Sequence, residues 1–124
     1  MTRSTAYDKY PEHMLELESQ PGLTRATFQG ELIAESRRAV RLLEGNYPAA
    51  LYFPQADVRM DLLRKTSRST HCPFKGDASY WSIGSEPGAG ENAVWGYEAP
   101  FDQMLGLKDL VSFYTDRVDV EARD

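Results

Sequence analysis

The stretch TRATFQGELIAES, at residues 24–36, decides the fold class of this chain. Residues 24–28 include the threonines and the phenylalanine that favour β-strands. Gln29-Gly30 predicts a tight turn, because glycine adopts positive φ without strain. Residues 31–36 then return as the partner strand, so the stretch predicts an antiparallel β-hairpin.

Outward from this hairpin, short strand patterns separated by turn residues fill most of the chain. Leucine alternates with glutamate at residues 15–18, which is typical of a half-buried strand. Further strands are expected at residues 39–44, 51–53, 78–83, 93–97, 107–114 and 117–120. A helix over residues 36–43 stays open as an alternative. The whole pattern predicts a mainly β domain, a small barrel or sandwich of short antiparallel strands.

Helical signals are few. Asp57 is expected to cap a short helix over residues 57–63, with Arg64 and Lys65 in its last turn. The polar run at residues 66–70 is interpreted as a connection, and one more helical turn is expected near residues 101–105. We therefore expect one or two short helices beside the strands.

A chain of 124 residues has the size of one domain. We expect an N-terminal arm at residues 1–12, a single domain at residues 13–120 and a C-terminal tail at residues 121–124. No apolar run approaches the ~18–20 residues that span a bilayer, and the N-terminal residues are polar, so we expect a cytoplasmic protein. Cys72 is the only cysteine, which leaves no intrachain disulfide and predicts neither a metal site nor a cofactor.

The formal net charge of −5 is unevenly distributed. Residues 37–75 carry eight basic and three acidic side chains, whereas residues 76–124 carry three basic and ten acidic ones. A negatively charged chain is a poor general partner for nucleic acid, because neutralised phosphates supply most of that affinity. The basic zone at residues 37–75 is still suited to a small anion.

Several motifs follow one another along the chain. They are GELIAES at residues 30–36, Glu44, YFP at 52–54 followed by Asp57-Val58, CPFKG at 72–76, ASYW at 78–81, WGYEAP at 95–100 and VSFY at 111–114. In this order they resemble a bacterial family, domain of unknown function 427, over roughly residues 13–120. The CPFKG block is specific when it is joined to the proline and aspartate block before it.

The resemblance implies a β-tent-like scaffold, the architecture also seen in methionine sulfoxide reductase B and in the drug-binding domain of cereblon. Several β-tent proteins hold a zinc ion with two cysteine pairs, which this chain does not have, so we expect no structural zinc. The family has been labelled nucleotidyltransferase-like. Such enzymes need a Gly-Ser followed by closely spaced aspartates, and no Asp-x-Asp follows Gly84-Ser85.

Two residues of the CPFKG block are candidates for chemistry. Cys72 follows His71 and precedes Lys75, and nearby positive charge makes a thiol more nucleophilic, although a lone cysteine is also a common buried residue. Lys75 is interpreted as a brace for a carboxylate such as Asp57 or Glu44, as a contact for an anionic ligand, or as a plain surface charge. Arg59 is the best fork-shaped donor near the Asp57-Val58 motif.

Aromatic residues on two predicted strands are further candidates for a binding site. Trp95 and Tyr97 stand two apart on one predicted strand and therefore share a face, and Tyr80 and Trp81 lie on a strand that we expect to be its neighbour. Such aromatics either build a core or line a pocket. The resemblance places Glu44, Tyr52 and Lys75 against this wall.

Three functions follow as hypotheses. The first is a small-molecule binding module, suited to an anion, with the aromatic wall, the loop at residues 84–90 as a mobile flap, and a site built from Glu44, Tyr52, Asp57, Arg59, Cys72, Lys75, Trp81, Trp95 and Tyr97. The second is an enzyme that uses Cys72 or a carboxylate, Glu44 or Asp57, as nucleophile or base. The third is a protein-interaction domain without pocket chemistry. The expected partner is a small molecule, with neither nucleic acid nor a membrane, and homodimer formation stays open.

Overall fold

The computed structural model describes residues 3–84 and 88–123, and it is mainly β. The strands are β1 (Leu15–Ser19), β2 (Leu23–Phe28), β3 (Glu31–Ser36), β4 (Val40–Glu44), β5 (Ala50–Pro54), β6 (Leu63–Cys72), β7 (Gly76–Ile83), β8 (Val94–Gly96), β9 (Leu110–Phe113) and β10 (Asp119–Arg123). The helical elements are α1 (Ala6–Lys9) and the 3-10 segments Gln55–Asp57, Met60–Leu62 and Asp102–Leu107. The mainly β fold class predicted from the sequence is confirmed.

The strands form two antiparallel sheets. Seven strands follow the order β1-β4-β5-β9-β8-β7-β6, and three follow the order β10-β2-β3. Within the part of the chain that the structure describes, the edge strands β1 and β6 do not pair with each other, so the larger sheet stays open. Of the two architectures expected, the fold is therefore a small sandwich and not a closed barrel.

The hairpin at residues 24–36 forms as predicted. β2 pairs with β3 around Gln29 and Gly30, whose φ angles are 51° and 85°. Positive φ at both central residues is typical of the type I′ turn, whose twist matches that of the two strands it joins. β2 is the central strand of the smaller sheet, because β10 pairs with its other edge.

The sandwich core lies between the two sheets. Ile33 of β3 is fully buried there with Phe53, Trp81, Val94 and Val111 of the larger sheet. Successive side chains of a strand point to opposite faces, so the neighbours of these residues lie on the other face of the larger sheet. Tyr52, Tyr80 and other side chains of that face form a second apolar cluster.

The larger sheet curls so that side chains from positions far apart in its strand order come into contact. Glu44 ends β4, and Lys75 lies in the turn between β6 and β7. In a flat sheet, the four spacings between β4 and β7 would separate them by about 19 Å. Instead, Lys75 Nζ lies 3.5 Å from Glu44 Oε1, so the second cluster lies on a concave face.

The prediction of one helix over residues 57–63 is wrong, because the structure has two short 3-10 segments, Gln55–Asp57 and Met60–Leu62. Asp57 ends one 3-10 segment and does not cap the next, whose N-cap residue is Arg59. Its carboxylate instead accepts hydrogen bonds from the Ser36 hydroxyl at 2.6 Å and from Arg38 at 3.0 Å. These bonds hold the pKa of Asp57 below its usual range, the Ser36 bond first.

The polar run at residues 66–70 is not a connection but the middle of β6. β6 is an edge strand and most of its side chains are exposed, so the apolar alternation that marks a strand in a sequence is absent. The register shifts between Lys65 and Ser69, where β6 carries more residues than its partner β7.

Residues near each end of the described chain contact the rest of the domain. Ser4 is buried and its hydroxyl donates to the Pro73 carbonyl, while the Tyr7 hydroxyl donates to the Phe74 carbonyl at 2.7 Å. At the other end, residues 121–123 belong to β10. None of the helices in the described ranges is long and apolar enough to cross a membrane.

Alanine substitutions at two neighbouring residues of β3 test which face of this strand packs in the core. Ile33 is fully buried, whereas Leu32 is 43% exposed. We expect Ile33→Ala to lower the free energy of unfolding by about 3–4 kcal/mol through lost burial and a residual cavity. Leu32→Ala is the control and should change it by less than about 1 kcal/mol. Urea denaturation measures both, and equal effects would contradict the sandwich.

Candidate functional site

The concave face of the larger sheet carries five aromatic side chains, which we call the aromatic face. Three of these side chains alternate along β5, β7 and β8 with residues of the sandwich core, and the other two lie one residue beyond the ends of β8 and β9. The five are Tyr52, Tyr80, Trp95, Tyr97 and Tyr114. A Cβ at Gly96 would lie 2.4 Å from the Leu110 carbonyl oxygen, so glycine at this position lets β8 lie close to β9.

Trp95 is the half-buried centre of this face. Its indole nitrogen donates a hydrogen bond to the Tyr52 hydroxyl at 3.3 Å, and the two rings meet edge to face. On the other side, its ring centroid lies 4.6 Å from that of Tyr114. Burial raises the pKa of Tyr52 to about 12, so its hydroxyl stays neutral at physiological pH and fixes the indole.

A cavity of about 320 Å³ opens beside Trp95 and Tyr114. Small and apolar residues dominate the rest of its wall: Pro48, Ala49, Ala50, Leu51, Ser112, Phe113, Thr115 and Val120. Such a cavity is suited to a flat or apolar group.

A second cavity, of about 350 Å³, shares Tyr114 as a wall. Arg68 and Arg117 line it together with Glu91, so two guanidinium groups face one carboxylate. Arg117 is held by the backbone carbonyls of Glu91 and Asn92 and lies 5.0 Å from the centre of the Tyr114 ring. Arg117 also pairs with the exposed carboxylate of Asp116 at 3.7 Å. The cavity is suited to an anionic group through its two guanidinium groups, which outnumber the one carboxylate in its wall.

Tyr80 lies between the aromatic face and Arg68. Its hydroxyl is 3.0 Å from that of Thr70 and 3.5 Å from that of Tyr114, and the Arg68 guanidinium lies 4.9 Å from its ring centre. Burial opposes ionisation, but these hydrogen bonds and the charge of Arg68 outweigh it and lower the pKa of Tyr80. Burial raises the pKa of Tyr114 to about 12, so Tyr80 is the more acidic member of the pair.

The opposite end of the concave face is closed by Glu44. Its two oxygens have separate partners, with His13 Nε2 at 2.7 Å and Lys75 Nζ at 3.5 Å. The Lys75 ammonium also lies 5.7 Å from the centre of the Tyr97 ring. Burial raises the pKa of Tyr97 well above its usual value. Lys75 therefore contacts a carboxylate in this structure, one of the three roles that the sequence left open.

Six of the nine predicted site residues come together on this face. Glu44, Lys75, Tyr97, Tyr52 and Trp95 form a continuous chain of contacts. Half-buried Cys72 pairs with Gly76 at the end of the β6–β7 hairpin. Burial, then Tyr52, then Cys72 raise the pKa of Tyr97.

The other three predicted site residues lie elsewhere. Trp81 packs in the sandwich core, on the opposite face of the sheet from Trp95. Asp57 is held by Ser36 and Arg38, and exposed Arg59 pairs with Asp61. The flap expected at residues 84–90 falls partly on residues 85–87, which lie outside the described residues, as does Ser85 of the Gly-Ser pair.

Four residues at the site were not singled out from the sequence: His13, Arg68, Tyr114 and Arg117. Arg68 belongs to the basic zone and Tyr114 to a predicted strand, so both carried a weak signal. Nothing in the sequence around His13 or Arg117 indicates the contacts that these side chains make.

The chain matches the family model of a domain of unknown function, DUF427, over residues 16–124. The chain belongs to the DUF427 family. The match includes every strand beyond the first residue of β1 and all of the aromatic face, whereas His13 precedes it. No curated protein is similar enough to the chain to count as a relative. Within residues 3–84 and 88–123 of this DUF427 domain, no three His, Cys, Asp or Glu side chains group as ligands for a metal ion.

Substitutions of two lysines test whether the contact between Lys75 and Glu44 stabilises the fold. Lys75 is 15% exposed, whereas Lys65, paired with Glu98, is 54% exposed. Lys75→Met leaves a mostly buried carboxylate with one fewer partner, so we expect a loss of about 1–3 kcal/mol in unfolding free energy. Lys65→Met should change it by less than about 1 kcal/mol. Thermal and urea unfolding measure both, and an unchanged Lys75→Met protein would show that the contact is not structural.

Proposed function

We propose that this DUF427 domain is a binding module for a small anionic molecule with a flat, apolar part. The observation that carries the proposal is the position of Tyr114, which lines both the apolar cavity beside Trp95 and the cavity with the two arginines. One ligand that spans this shared wall would place its ring beside Trp95 and its anionic group near Arg68 and Arg117.

The contacts around Trp95 support a preformed site. The indole is held by Tyr52 on one side and Tyr114 on the other, so little side-chain freedom is lost when a ligand stacks there. The half-buried ring keeps surface available for such a contact.

Charge supports a small anion over a polyanion. Two guanidinium groups and one carboxylate line the arginine cavity, whereas the chain as a whole carries a net charge of −5. An extended nucleic acid would meet the acidic remainder of the surface, but a single carboxylate, sulfonate or phosphate group would not.

Two matched probes test the proposal by calorimetry. 2-Naphthoate carries a flat ring and an anion, and 2-naphthamide is its uncharged counterpart. We expect the naphthoate to bind more tightly, and Arg68→Gln to weaken it about 10-fold without weakening the naphthamide, since a charge-assisted contact is lost. Trp95→Ala should weaken both probes.

Arg59→Gln is the control, because Arg59 is an exposed arginine outside the site. Its naphthoate affinity should equal that of the unmodified protein. Equal binding of the two probes, or an equal loss in Arg59→Gln and Arg68→Gln, would refute an anion site at Arg68.

A further inference from the structure

The His13–Glu44 pair lies at the end of the concave face away from Arg68, beside a larger cavity that shares no lining residue with the two cavities of the proposed function. This cavity, of about 590 Å³, is lined by Lys9, Tyr10, Pro11, Glu12, His13 and Phe74. It is built from the segment before β1 and from the CPFKG turn. Both members of the pair are half-buried, with 29% and 22% of their side chains exposed.

The hydrogen bond decides which ring nitrogen of His13 carries the proton. An ionised carboxylate only accepts hydrogen bonds, so the Nε2 atom that lies 2.7 Å from Glu44 must be protonated. In the neutral ring, Nδ1 then keeps its lone pair. Nδ1 has no hydrogen-bond partner within the part of the chain that the structure describes.

The imidazole is also fixed in orientation. It stacks on Phe74 with ring centroids 4.2 Å apart and planes 23° from parallel, and the backbone N–H of His13 donates to the Tyr10 carbonyl. Lys75 contacts the other Glu44 oxygen, so the carboxylate itself is held in place. A carboxylate that orients a histidine and stabilises its charged form is the arrangement that makes histidine an efficient proton acceptor.

We propose that His13 Nδ1 is a proton acceptor for a hydroxyl-bearing aromatic molecule that binds in this cavity. The ring of the ligand would pack against Tyr10 and Phe74, and its O–H would donate to Nδ1. When the proton moves, it passes from the hydroxyl oxygen to Nδ1, and the O–H bonding electrons stay on the oxygen. Glu44 then balances the imidazolium, and the Lys9 ammonium, which lines the same cavity, balances the oxyanion.

The chain supplies its own control, because its second histidine has the opposite arrangement. His71 contacts Asp77 through Nδ1 at 2.7 Å and is 59% exposed. Long-range proton–nitrogen NMR spectra of ¹⁵N-labelled protein distinguish the two tautomers. We expect the Nε2–H form for His13 and the Nδ1–H form for His71. A Glu44→Gln variant should lose the preference at His13 and keep that at His71.

Phenol and anisole test whether His13 Nδ1 accepts a hydrogen bond, and no substitution in the protein is needed. Anisole carries a methyl group in place of the hydroxyl hydrogen of phenol, so it cannot donate. We expect phenol to shift the His13 Nδ1 resonance in a saturable way, anisole to leave it unchanged, and neither to shift His71. The Nδ1–H tautomer at His13, equal shifts from both probes, or no saturable shift with phenol would each overturn the proposal. These outcomes are independent of naphthoate binding at Arg68.

Discussion

The two-residue period of the β-strand is the constraint on which this structure depends. Each central strand of the larger sheet sends one side chain into the sandwich core and the next onto the concave face. Phe53 is in the core and Tyr52 on the aromatic face, and Trp81 and Tyr80 divide in the same way. A shift of one residue in register would exchange the two sets, so the core that stabilises the fold also fixes the composition of the site.

The curl of the larger sheet makes that face concave. The contact between Lys75 and Glu44 joins strands that are far apart in the sheet order, and the aromatic residues lie on the concave side. Arg68 approaches from the edge strand β6, and Arg117 follows β9. Charged groups thus lie at both ends of an apolar surface, an arrangement that is typical of sites for small polar ligands.

Local patterns predicted the hairpin at residues 24–36 and most strands, because turn chemistry and alternation act over a few neighbouring residues. They failed at Asp57, whose carboxylate is taken by Ser36 and Arg38 from another part of the chain, and along β6, whose exposed edge needs no apolar alternation. Trp81 was placed in the site because an aromatic residue carries the same signal in a core as in a pocket. The contacts of Arg117 depend on tertiary packing, which no local pattern encodes.

Fluorescence quenching by ions of opposite charge tests whether Trp95 lies at an accessible, positively charged site while Trp81 lies in the core. In a Trp81→Phe protein, where Trp95 is the only tryptophan, we expect iodide to quench the tryptophan emission several-fold more than caesium does, relative to free N-acetyltryptophanamide. Arg68→Gln in the Trp81→Phe protein should reduce the difference between iodide quenching and caesium quenching. In a Trp95→Phe protein, Trp81 should be quenched by neither ion. Equal quenching of Trp95 by both ions, or stronger quenching by caesium, would show that the surroundings of Trp95 are not positively charged.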